Sequence, residues 1–317
     1  MPESTLHPGL KDWLDKYNRY MRELEQGGFK PTPSNVREGL DAMTRSLVRE
    51  KPEIPWVGDE LIVAPYAYPV PVRIYHPDPE HALPVLVYYH GGGHMAGSVA
   101  AYDPICRKLA ARTSHVVVSV EYRLAPECPY PAGVRDAFNA SRHLRDALNA
   151  RGVRHEPSIR LAGDSAGGAL SATVAHLAQF DAGLHVEAQA LVYPSLDYTM
   201  SQPSLEENAS GYLLEKAKIG WYFERYFQSA EDRKAASPLF MEAGPGFPDT
   251  LIVTAGFDPL RDEGIAYERK LRDAGARVER LHFADMIHAF LNMESLVPDR
   301  ASEVYAGIDA FLSSVSG

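Results

Sequence analysis

The chain has 317 residues, enough for one large α/β domain or one domain with an accessory piece. Apolar residues make up 45%, as in soluble globular proteins, and a net charge of −10 argues against the clustered positive charge of a nucleic-acid footprint. No apolar run approaches the ~20 residues of a membrane span, and two cysteines, Cys106 and Cys128, are too few and too isolated for a disulfide framework or a zinc site. The start, Met1-Pro2-Glu3-Ser4-Thr5, has no basic region followed by an apolar core, so the expectation is a cytoplasmic protein without a metal.

In chain order, Leu10, Trp13, Leu14, Tyr17, Met21 and Leu24 form one apolar stripe at helical spacing. Pro31 and Pro33 interrupt it. Ser34 is then placed to cap a second helix with Val36, Leu40, Met43 and Leu47 on one face. From about Leu61 short β-rich runs take over: Val72–Tyr75, Val85–Tyr89, Val116–Val120, Ser158–Ala162, Ala188–Tyr193, Leu251–Thr254 and Val278–Phe283. Helix-length stretches lie between them, at Asp103–Thr113, Val134–Ala150, Ala166–Phe180, Asp262–Ala274 and Ala301–Ser314. Near-continuous apolar strands alternating with helices predict an α/β fold with a mostly parallel sheet covered on both faces. Residues 195–236 break the rhythm. They hold no strand-like run but carry Tyr212, Trp221, Tyr222, Phe223, Tyr226 and Phe227, which suits a lid or a helical excursion packing its own aromatics.

The sharpest local signal is Gly163-Asp164-Ser165-Ala166-Gly167, a G-x-S-x-G sequence between a strand-like run and a helix-competent one. A serine hydroxyl attacks only when a base takes its proton and its oxygen stands clear of the backbone. A tight strand-to-helix turn supplies the exposure, and glycines at both ends let the backbone pass strand and helix without a Cβ clash. Asp164 has no catalytic part in this reading and is expected to brace the turn. Upstream, His90-Gly91-Gly92-Gly93 follows the run Val85–Tyr89. Acyl transfer creates an oxyanion that needs backbone N–H donors, and three glycines open the main chain to a substrate. The expected donors are Gly92, Gly93 and Ala166, with His90 shaping the loop. A nucleotide-cofactor role fails, because the loop lacks G-x-G-x-x-G spacing and no P-loop lysine follows.

An acid and a histidine should follow in that order. Asp258 lies after the run Leu251–Ala255, where open α/β sheets place their sites, and Pro259 keeps it out of helical geometry. Asp262 and Glu263 compete, but they open the next helix, where carboxylates already suit the helix dipole. His288 follows the last strand-like run, whereas its competitor His282 falls within it.

These segments, with Tyr122-Arg123-Leu124-Ala125-Pro126-Glu127 and Asp258-Pro259-Leu260-Arg261-Asp262-Glu263, resemble the hormone-sensitive-lipase-like carboxylesterases, most of all their bacterial and archaeal members. The match runs from about Leu61 to the C-terminus in the family's order. It implies an α/β-hydrolase fold with an eight-stranded sheet, a catalytic domain of residues 53–194 and 237–317, and a cap of residues 1–52 and 195–236. It also implies a Ser165, Asp258 and His288 triad, ester hydrolysis without a cofactor, and often a homodimer. Two positions depart from the family: His94 stands where an aromatic residue is usual, and Ala289 where glycine is usual. His94 either touches the substrate or fills the loop.

The reading that follows is a serine carboxylesterase acting on small-molecule esters. Tyr212, Trp221, Tyr222 and Phe223 either narrow an acyl pocket for short to medium chains or form the cap's own core. Another acyl hydrolase on this fold, such as an amidase, peptidase or carbohydrate deacetylase, differs only in leaving group. A non-catalytic ligand receptor, like a plant hormone receptor related to the family, would lack the histidine, which is present here.

Overall fold

The computed structural model describes residues 5–315. Met1, Pro2, Glu3 and Ser4, on which the expectation about a leader mostly rests, lie outside them, as do Ser316 and Gly317. Two helices come first, α1 (Pro8–Gln26) and α2 (Pro33–Leu47). The core then runs β1 (Trp56–Ile62), β2 (Val70–His76), β3 (Leu83–Tyr89), α3 (Val99–Thr113), β4 (Val116–Val120), α4 (Ala132–Arg151), β5 (His155–Asp164), α5 (Ala166–Ala178) and β6 (Val186–Val192). After α6 (Ser204–Glu207), α7 (Lys216–Tyr226) and α8 (Arg233–Ala236), it closes with β7 (Asp249–Phe257), α9 (Arg261–Asp273), β8 (Val278–Ile287) and α10 (Pro298–Ser314). No helix among the described residues is long and apolar enough to cross a membrane.

The eight strands form one sheet in the order β1-β2-β4-β3-β5-β6-β7-β8, parallel except that β2 runs antiparallel to both its neighbours. This is the α/β-hydrolase fold. β3 and β5 sit centrally, and beside them the Val116–Val120 run of β4 is buried throughout, as a strand covered on both faces must be. One face of the sheet packs on α3 and α10 through Leu109, Tyr305 and Ile308. The other packs on α4, α5 and α9 through Leu144, Leu170 and Tyr267.

β1 went unanticipated. It is an antiparallel edge strand paired only with β2, and Gly58, Asp59 and Glu60 dilute its apolar pattern. The cap of α2 also differs from expectation. Thr32, not Ser34, accepts the Asn35 N–H, and Pro33 takes the first helical position, where its missing N–H costs nothing. The first two helices do not form a layer of their own. Leu10, Leu14, Met43 and Leu47 join the cluster of α3 and α10, while Val36 packs on the aromatic cluster of residues 195–236 and Asn18 Nδ2 donates to Gly211 O.

That aromatic cluster forms the roof. Tyr198, Leu205, Ile219, Tyr222, Phe223, Tyr226 and Phe227 pack together over Met95, Ala125, Ala169 and Leu260, which come from loops and helix starts at the C-terminal ends of the parallel strands. Buried Glu263 pins its base, accepting from the N–H groups of Leu196 at 2.5 Å and Asp197 at 2.9 Å. Asp262 accepts from Ser204 N–H at 3.0 Å. These two carboxylates therefore hold the roof segment to α9, a more specific duty than serving the helix dipole.

Candidate active site

β5 ends at Asp164 and α5 begins at Ala166, so Ser165 alone makes the turn, at φ 53° and ψ −117°. Such a backbone is costly for a non-glycine residue and persists because its surroundings fix it. Ser165 N–H donates to Val192 O, and Ser165 O accepts from Ala169 and Ser195 N–H. A Cβ at Gly167 would overlap Tyr89 O, and one at Gly163 would overlap Gly167. The two glycines thus let the turn press against β3.

β7 and β8 deliver the other two groups from their C-terminal ends. His288 Nε2 lies 2.9 Å from Ser165 Oγ, and its Nδ1 lies 2.9 Å from Asp258 Oδ2. The carboxylate only accepts, so the imidazole proton resides on Nδ1, and Nε2 is free to accept from the serine. Asp258 is fully buried and also accepts from Leu260 N–H at 2.8 Å, while Asn208 Nδ2 holds its backbone carbonyl. The Tyr193 ring packs against the imidazole at 4.8 Å. Ala289, directly after the histidine, takes a left-handed backbone at φ 60°, which explains why glycine suits this position. The competing residues go elsewhere: His282 Nδ1 meets Thr254 Oγ1, and Asp262 and Glu263 hold the roof.

The glycine loop follows β3 beside this trio. Gly91 N–H donates to Asp164 Oδ1 at 2.7 Å, but the N–H groups of Gly92 and Gly93 donate to no acceptor among the described residues. Both sit at positive φ, 122° and 62°. Ala166 opens α5, and the first N–H groups of a helix lack intrahelical partners. Free donors from the loop and from the helix start suit an anion developing near Ser165.

His94 directly follows the glycines, and of the other three residues considered for substrate contact, Tyr222 lies against the loop. A Cβ at Gly93 would stand 2.7 Å from its ring. Trp221 is edge-on to Tyr222 and covered by the Arg225 guanidinium at 3.9 Å. Tyr212 packs on Phe257 at 5.1 Å, close to the Asp258 loop. His94 is buried, stacked on Tyr226 at 4.0 Å and bonded through Nε2 to Tyr198 OH at 3.0 Å, a geometry that favours filling the loop over touching substrate. Burial pushes its imidazole pKa down to about 3, so it is neutral near pH 7. Arg37 of α2 had no place in the sequence reading. Its guanidinium donates to Met95 O, Ala125 O and the Glu127 carboxylate, tying α2 to the glycine loop. Arg37 follows Val36 off the apolar face of α2, so no local signal marked it. No group of three or more His, Cys, Asp or Glu among the described residues is arranged to hold a metal ion.

Residues 86–292 match a protein family described by the α/β-hydrolase fold. The carboxylesterase NlhH of Mycobacterium tuberculosis is 39% identical over 248 residues, covering 76% of this chain and 77% of its own. The ethyl acetate hydrolase of Pseudomonas putida is 33% identical over 309 residues, covering 93% of this chain and 95% of its own. Among solved structures, the esterase of Pyrobaculum calidifontis superposes with a TM-score of 0.88 at 34% identity, covering 98% of this chain and all of that one.

Proposed function

This chain belongs to the hormone-sensitive-lipase-like family of the α/β-hydrolase fold, and from that premise we propose that it is a serine carboxylesterase working through an acyl-enzyme on Ser165. The observation that carries the reading is the relay from Ser165 Oγ through His288 to Asp258, with 2.9 Å at both links. His288 Nε2 takes the Ser165 proton as Oγ attacks the ester carbonyl, and the oxyanion rests on the N–H groups of Gly92, Gly93 and Ala166. As the intermediate collapses, the C–O bond to the alcohol breaks and the alcohol leaves with the proton from His288. Water then enters, gives its proton to His288, and releases the acid and Ser165. Asp258 keeps the imidazole in the Nδ1–H tautomer and stabilises the imidazolium.

Residues 195–236, with help from the N-terminal helices, act as a cap over residues 53–194 and 237–317. The Tyr222 ring against Gly93 narrows the space beside the oxyanion donors, which supports short to medium acyl chains. A p-nitrophenyl ester series from acetyl to dodecanoyl tests this. Optimal kcat/KM below about ten carbons is expected, and a peak beyond that length contradicts the acyl preference. Matched ester and amide substrates separate the leaving groups, with the ester expected to react faster.

A further inference from the structure

The loop's free donors need aiming, because oxyanion stabilisation works only when the donors are fixed before charge develops. A peptide unit is planar, so an N–H is aimed by whatever holds the carbonyl of the preceding residue. Gly93 N–H shares its plane with Gly92 O, which accepts from Met95 and Ala96 N–H at 3.1 and 2.9 Å. Gly92 N–H shares its plane with Gly91 O, and His90 Nδ1 holds that carbonyl at 2.9 Å. The carbonyl only accepts, so the His90 proton sits on Nδ1, and its Nε2 is left buried without a partner. One plane earlier, His90 O accepts from Tyr122 OH at 2.6 Å, and Gly91 N–H donates to Asp164 Oδ1 at 2.7 Å.

Asp164 is therefore more than a brace for its own turn. Its carboxyl is 2% exposed and accepts only from neutral donors: Tyr88 OH at 2.8 Å, Gly91 N–H, and Tyr102 OH at 3.0 Å. Burial pushes it above the usual carboxylate range, and no cation bonds to it. A buried carboxyl without a countercharge is expensive, and an apolar residue would fill the space at less cost. Its position resolves the expense. Asp164 precedes Ser165 on the chain and grips the glycine loop through space, so it sets the loop against the turn that carries Ser165 and Ala166.

Resting on the serine-esterase reading, we propose that Asp164 and His90 are positioning residues, gripping Gly91 at its N–H and its carbonyl and so aiming the oxyanion donors at the Ser165 adduct. Asp164→Ala removes the grip. Asp164→Asn keeps an oxygen for Gly91 N–H. His90→Phe keeps the stack on Tyr122, 4.4 Å between rings, but loses the bond to Gly91 O. Tyr102→Phe removes the donor on the far oxygen together with a bond to Asn292, and serves as the structural control. Each is assayed for kcat and KM on one p-nitrophenyl ester, and for inhibition by a trifluoromethyl ketone whose serine hemiketal carries the oxyanion.

Asp164→Ala and His90→Phe should lower kcat by on the order of 10²-fold, approaching the loss of an oxyanion donor, with little change in KM and an equal weakening of the ketone. Asp164→Asn should recover most of the kcat, and Tyr102→Phe should stay near wild type. If Asp164→Ala does not fold, His90→Phe and Asp164→Asn still decide. A folded variant of the first pair with kcat and ketone affinity within about threefold of wild type overturns the proposal, as does a loss carried by KM alone. Ser165→Ala on the same ester is the reference arm: turnover surviving there sinks the serine mechanism itself, whatever the positioning variants do.

Discussion

The floor and the roof of this site are built by different physics. In the floor, Ser165, Asp258, His288 and the glycine loop each stand at the C-terminal end of a parallel strand, and hydrogen bonds near 2.9 Å fix their polar atoms. In the roof, rings hold the segment together and seat it on the loop below: Tyr198 against Phe223 and Phe227, and Tyr226 on His94, the residue after the glycines. Hydrogen bonds are directional and lost within a few tenths of an ångström, whereas apolar packing tolerates repacking at conserved volume. The floor should fail abruptly when one atom is removed. The roof should fail gradually, by changing selectivity and stability.

The largest break expected is in the floor. His288→Ala should lower kcat by on the order of 10⁶, and steady-state assay of the folded variant checks it. Asp258→Asn preserves shape but loses control of the imidazole tautomer, so a drop of about 10⁴ in kcat is expected with KM nearly unchanged. Gly93→Ala probes the seam between the two regions. Its Cβ would stand 2.7 Å from the Tyr222 ring at a backbone φ of 62°, so kcat/KM should fall by on the order of 10². The double variant with Tyr222→Ala should recover part of that loss by removing the ring but not the backbone strain. No recovery would mean that floor and roof are not coupled at this point.

His94, on which the roof's Tyr226 stacks, tests that seam by pH. Folded His94 stays neutral down to about pH 3, whereas the unfolded residue protonates near its ordinary value of about 6.5. Between those values the unfolded chain binds more protons, so stability falls as pH drops through this window, by up to about 1.4 kcal/mol per pH unit. His115, held down to about 4 by burial, adds a slope of the same sign. His94→Phe should flatten the decline below pH 6.5, read as a smaller difference in thermal midpoint between pH 5 and pH 7. The smallest effect belongs to Ala289→Gly. Relief of the left-handed backbone should stabilise the fold by about 0.5–1 kcal/mol in denaturant titration, with turnover unchanged.

The same contrast decides what could be read in the sequence. The parallel core was legible because runs such as Val116–Val120 are buried on both faces and carry little but Val. The residues of the relay were legible because each chemical demand leaves a local mark: glycines where backbones touch at Gly163 and Gly167, and Pro259 after Asp258. β1 was hidden because an exposed edge strand tolerates Gly58-Asp59-Glu60. Asp164 and Arg37 were hidden for another reason. Each acts on a residue distant in sequence, Gly91 and Met95, and no local pattern records which peptide a side chain will reach. The roof aromatics stay ambiguous in sequence because a ring lining a pocket and a ring filling a core look alike; only the contact at Gly93 sets Tyr222 apart.

The central claim is that Ser165 is the nucleophile activated by His288. A serine-directed organophosphonate followed by peptide mass spectrometry tests it most directly. The account predicts stoichiometric loss of esterase activity with a single adduct on the peptide carrying Ser165, and no adduct in His288→Ala on the same timescale. An unmodified Ser165 in fully inactivated enzyme, or full activity after Ser165 is modified, would contradict it.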